Sequence, residues 1–106
     1  MDKKYRTFRE FYPFYLSQHA NPVCRSLHFI GSCVALAVLA VAASSGNPWW
    51  LAGVPLAGYS FAWVGHFFFE HNRPATFTYP FFSLTGDWLM FYQMLIGRIP
   101  FRGSLR

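Results

Sequence analysis

Residues 61–74 read FAWVGHFFFEHNRP. They close a long apolar run and place His66, Glu70 and His71 just ahead of Pro74. Proline disfavours helical backbone in the residue before it, so the stretch reads as the end of a helix. On that helix Glu70 lies one turn beyond His66, on the same face. His71 lies roughly 140° round from His66. The other two histidines, His19 and His28, sit at the start of the preceding apolar run. A hairpin of the two runs would bring all four to one end.

The runs are long. Residues 26–69 contain no Asp, Glu, Lys or Arg, enough chain for two membrane spans of about 20 residues each. Asn21 can cap a helix whose first residue is Pro22, because proline lacks only an N–H that would be orphaned there. Residues 44–48, SSGNP, read as a turn, and Trp49 and Trp50 follow at a depth where interfaces favour indoles. Gly53, Pro55 and Gly58 weaken the second arm but are tolerated in spans. The expected fold is all-α: an integral membrane helical hairpin or bundle with interfacial helices, forming one domain over residues 1–106.

Composition points the same way. Charged residues are 12% of the chain and hydrophobic residues 54%, against about 25% charged in a soluble domain. A soluble chain of 106 residues has too much surface for its volume to bury so many large side chains. Mean hydropathy is only +0.22, so part of the chain should lie outside the hydrocarbon. The net charge of +5 sits mostly at the two ends, which argues for membrane flanks and against a nucleic-acid face. Cys24 and Cys33 have no CxxC spacing and read as reduced thiols. No secretory leader is expected at the N-terminus.

Outside the hairpin, residues 1–16 interleave Lys and Arg with Tyr5, Phe8, Tyr12 and Tyr15, the pattern of an interfacial segment. A third apolar stretch, residues 79–96, is interrupted by Gly86 and Asp87. A carboxylate is expensive in lipid, so this stretch reads as a packed shorter helix, a tilted interfacial helix, or a span that hides Asp87 inside. The basic tail, residues 98–106, is expected to be loose. If the third stretch does not cross, every Lys and Arg lies on one side, and both termini are cytoplasmic.

Counting from Gly46, His28 lies 18 residues before the turn and His66 20 after it, heights of roughly 27 and 30 Å at 1.5 Å per residue. His19 and His71 fall near the same level. Neutral imidazole is the commonest biological metal ligand, and His19, His28, His66 and His71 together would suit zinc, copper, iron or nickel. Glu70 and Asp87 are candidate catalytic carboxylates, Glu70 either orienting an imidazole or ligating directly. Arg25 and Arg73 are candidate grips for an anionic substrate head. Two other readings stay open: a bis-histidine haem electron carrier, and a lipid-interacting membrane protein without a metal.

The stretches FYPFYLSQHANPVCRSLHFIG and GHFFFEHNRPATFTYPFFSLTGDW resemble the small membrane-protein family of 2-hydroxy-fatty-acid dioxygenases. Its founding yeast member degrades phytosphingosine to odd-numbered fatty acids. The resemblance covers residues 8–98 and rests on the H-x8-H and GH-x4-H spacings together with NRP and GDW. It implies Fe(II)-dependent, 2-oxoglutarate-independent oxygenation that shortens a 2-hydroxy fatty acid by one carbon. The family's histidines match His19, His28, His66 and His71. The implied partners are a fatty-acid or other lipid substrate, O2 and membrane lipids, with no nucleic acid; a homo-oligomer is compatible with this. The implied location is the bacterial inner membrane, or the endoplasmic reticulum in a eukaryote.

Overall fold

The computed structural model describes residues 4–102. The last four residues of the expected loose tail, 103–106, lie outside them. The described chain is helical throughout, without strands: α1 Phe8–Ser17, α2 Pro22–Ser45, α3 Gly53–Val64 and α4 Pro80–Leu95. The Thr7 side chain caps α1 by accepting from the Glu10 N–H. The Asn21 side chain caps α2, accepting from Val23 and Cys24 N–H groups with Pro22 in the first turn, as its sequence requires.

α2 turns over at Gly46. The return arm changes pitch along its length. It starts as a 3-10 turn, Pro48–Ala52, continues as α3, and ends as a π-helical turn, Gly65–Glu70. The second arm of the expected hairpin is thus helical as far as Glu70, with a pitch that changes along it. Among the described residues, only α2 is both long and apolar enough to cross a membrane, with 24 residues and a mean hydropathy of 2.1 over its best window.

The best-buried cluster lies outside the hairpin. Phe11 and Tyr15 of α1 pack with Met90 and Met94 of α4 and with Tyr79 and Ile99. The N-terminal segment thus does more than lie at an interface: one face of α1 is core. Residues 80–95 form one helix, α4, packed against α1 and α2. Gly86 does not break α4. A Cβ there would meet the Tyr15 ring at 3.1 Å, so glycine is what lets α1 settle on α4. The hairpin, by contrast, leaves large apolar side chains exposed along its arms, among them Leu36, Leu39, Leu51, Leu56 and Phe68.

The two arms meet closely at their open end. A Cβ at Gly65 would lie 3.0 Å from Cys24 Sγ and 3.1 Å from Cys24 Cα. The second of these is backbone and cannot swing aside. Gly65→Ala should therefore push the arms apart and destabilise the fold by about 1–3 kcal/mol, read as a lowered midpoint of thermal unfolding. An unchanged midpoint would contradict this close approach.

Candidate metal centre

Three histidines reach one point from three segments. His19 comes from the link between α1 and α2, His28 from the second turn of α2, and His66 from the π-helical turn. All three are buried. His19 Nε2 lies 3.0 Å from His28 Nε2 and 3.0 Å from His66 Nε2. The rings stand nearly edge to face, at 84°, 79° and 89° between pairs.

The outer nitrogens explain the inner ones. His19 Nδ1 donates to the Tyr15 carbonyl at 2.6 Å, and His28 Nδ1 to the Cys24 carbonyl at 2.8 Å. His66 Nδ1 donates to Asn72 Oδ1 at 2.6 Å. The Asn72 amide cannot be reversed, because its Nδ2 donates to both the backbone and side-chain oxygens of Gln18. Each imidazole is thus fixed with its proton on Nδ1 and its lone pair on Nε2, the arrangement that prepares histidine to bind a metal. Three lone pairs facing one another repel unless a cation lies among them. Nitrogens that share an ion at about 2.0–2.1 Å sit roughly 3 Å or slightly more apart, so the spacing fits such an ion.

The Cys24 thiol belongs to the same group, its possible ligand atoms lying within 4.8 Å of those of His19, His28 and His66. Its Sγ is 3.8 Å from His28 Nδ1, behind the ring and not on its Nε2 side. The other cysteine, Cys33, is free and exposed.

The remaining expected site residues are placed as follows. His71 is not brought to the group. It adopts a left-handed conformation, φ 60°, at the end of the π-helical turn and is exposed. That reversal folds the chain back so that the Asn72 N–H reaches the His66 carbonyl at 3.0 Å, and Asn72 takes the place beside His66 expected for an acid. Glu70 is buried and accepts from the Asn21 N–H at 2.6 Å. It ties the return arm to the link that carries His19. Arg25 is fully buried. Its guanidinium donates to the carbonyls of His19 at 3.1 Å, Ala20 at 2.7 Å and Pro100 at 3.1 Å, so it braces that link from below. Arg73 is exposed over the Phe77 ring, 5.2 Å from its centroid. Asp87 accepts a hydrogen bond from the Tyr15 hydroxyl, and the Tyr15 ring stacks on His19 with centroids 4.0 Å apart.

Two cavities meet at this centre. An apolar one of about 220 Å³ lies between α2, α3 and α4, with His28, Val54, Tyr59, Leu84 and Trp88 in its walls. A chamber of about 10 Å³ lies against the three histidines. His28, Tyr59, Ala62 and Asp87 line both. Burial pushes the Asp87 carboxyl up to about 7, against the opposing pull of the Tyr15 hydrogen bond. Burial, and then the Asp87 charge, hold the Tyr15 phenol well above its ordinary 10, so it remains the donor of that pair.

A family model for 2-hydroxy-palmitic acid dioxygenase Mpo1-like proteins matches residues 5–99. The chain belongs to this family. Neither the curated proteins nor the solved structures contain a match. Within this family member the three Nδ1-anchored imidazoles are the chemically distinctive feature. Sequence reasoning placed histidines at this level but missed Asn72, Gln18 and Tyr15. Only the NRP tripeptide signalled Asn72, and it named no partner.

The centre gives the metal-free protein a pH dependence. Burial, and then the neighbouring His28 and His66, hold His19 well below its ordinary 6.5, outweighing the Tyr15 carbonyl. The unfolded chain takes up that proton near 6.5 while the folded chain refuses it, so stability is full above 6.5 and falls as pH drops below it. Thermal unfolding of chelator-stripped protein should show a midpoint that declines from pH 7 to 5. His19→Phe, which keeps a ring against Tyr15, should flatten the decline. A wild-type midpoint independent of pH in this range would contradict the assignment.

Proposed function

We propose that this chain is an iron-dependent dioxygenase that shortens a 2-hydroxy fatty acid by one carbon at a membrane. The observation that carries the reading is the convergence of three Nε2 lone pairs on a small chamber that shares a wall with an apolar cavity, in a chain whose family is named for this activity. His19, His28 and His66 would hold the ion through Nε2. An Fe(II) ion held there would supply O2 activation and a Lewis acid for the substrate head.

The chain's own residues account for the rest. The cavity between α2, α3 and α4 takes the acyl tail in an apolar wall. Asp87, at the junction of cavity and chamber, holds or releases a proton at its carboxylate, and the Tyr15 hydroxyl steadies that oxygen. Glu70 and Arg25 keep the His19 link in place, so they act on the ion through His19. Arg73, at the surface, is the cation left open to an anionic head.

The same reading sets the hairpin in the bilayer. Supporting it are the 24-residue apolar α2, about 36 Å long at 1.5 Å per residue, and the large apolar side chains exposed on both arms. The helical return, residues 48–70, would make the second crossing. The charge-free turn would face outward and both termini the cytoplasm. A haem reading fits less well. Two axial imidazoles must stand on opposite faces of a porphyrin, and nitrogens 3.0 Å apart leave no room for the ring.

The test is activity in isolated membranes. Membranes carrying the full chain should consume O2 and shorten 2-hydroxypalmitate. Chelation should abolish this, and added Fe(II) should restore it. His28→Ala should lower turnover at least a hundredfold, and Arg73→Ala should mainly raise the substrate requirement. Full activity after chelation, or a fully soluble active protein, would overturn the reading.

A further inference from the structure

Ser83 is 3% exposed, and its hydroxyl has no hydrogen-bond partner among the described residues. Buried hydroxyls are nearly always paired. Other helical hydroxyls of this chain follow that rule by folding back one turn: Ser60 Oγ donates to the Leu56 carbonyl and Thr85 Oγ1 to the Phe81 carbonyl. Ser83 has the same option at the Tyr79 carbonyl, which accepts the Ser83 N–H at 2.8 Å, yet its hydroxyl is not bonded there. It lines the small chamber instead, beside His19, His28, His66 and Asp87.

Ser83 and Asp87 are four residues apart and share one face of α4. The Asp87 carboxylate is already engaged by Tyr15. The chamber has room for about one small polar group, and His28, Tyr59, Ala62 and Asp87 stand between it and the apolar cavity, lining both. An occupant with its chain in that cavity would bring an oxygen near its head to Ser83. A carboxylate would set a second negative charge beside Asp87, whereas a neutral hydroxyl would not.

We propose that Ser83 Oγ recognises the 2-hydroxyl of the substrate and gives the site its preference for a 2-hydroxy acid over the plain acid. This rests on the proposed function. A hydroxyl left unpaired by the wrong ligand is a strong means of rejection, because that ligand cannot restore the lost hydrogen bond.

The experiment is an anaerobic titration of the full, purified, metal-loaded chain with 2-hydroxypalmitate and with palmitate. Tryptophan fluorescence follows binding, since Trp63 lines the chamber and Trp88 the cavity. Wild type should prefer the hydroxy acid by about tenfold, the scale of one hydrogen bond. Ser83→Ala should lose most of that preference while binding palmitate as before. Ser83→Cys, of similar size but a weak donor, should follow it. Metal content should not change, and the ligand-free Ser83→Ala protein should unfold at a higher temperature, because an unpaired buried hydroxyl has been removed. Variants that discriminate like wild type would overturn this inference and leave the proposed function standing. So would a Ser83→Ala protein that melts lower and loses both ligands equally. A wild type with no preference would overturn both.

Discussion

Three hydrogen bonds on the outer nitrogens of three imidazoles organise this molecule. A free imidazole can carry its proton on either nitrogen, and a buried one must satisfy both. Here two main-chain carbonyls and one asparagine amide take the Nδ1 protons of His19, His28 and His66. The lone pairs are then forced inward, with His19 Nε2 3.0 Å from the Nε2 of each of the other two. Without a cation that point is unfavourable, so the fold must hold the rings together against their own repulsion.

Much of the surrounding architecture serves that purpose. His19 lies in a short link, and a link moves unless it is tied. Glu70 ties it from the return arm through the Asn21 N–H. Arg25 ties it from α2 through the His19 and Ala20 carbonyls. Tyr15 covers the outer face of the ring and is itself held by Asp87. Buried charged groups of this kind are costly unless fully bonded. Their use on main-chain groups around one loop accounts for charges in an otherwise apolar interior. Gly65 and Gly86 admit the close contacts that bring the π-helical turn to α2 and α1 to α4.

The sequence told its own organisation unevenly. The hairpin was legible because helical rise is regular: counts of 18 and 20 residues from Gly46 put His28 and His66 near one level. The cap at Asn21 and Pro22 was legible because it is local chemistry. His71 and Glu70 were not, and for one reason. The regular helix gives way here: residues 65–70 form a π-helical turn that ends on a left-handed His71, and nothing in the sequence announces either. Glu70 accepts from the Asn21 N–H, and the left-handed His71 turns Asn72 back onto His66. Arg25 read as a substrate grip because its charge is visible in sequence, while the carbonyls that receive it, Pro100 among them, are distant or featureless there. The vacant bonding capacity of Ser83 has no sequence signature, since serine in a helix ordinarily bonds to the preceding turn.

The central claim is that these three imidazoles hold one metal ion and that His71 does not. The most direct measurement is elemental analysis combined with X-ray absorption on the full chain, purified without a histidine tag. The account predicts one iron per chain with imidazole nitrogen in its coordination, lost in His19→Ala, His28→Ala and His66→Ala and kept in His71→Ala. A chain that carries no ion in active membranes, or whose occupancy survives all three of the first substitutions, would contradict it.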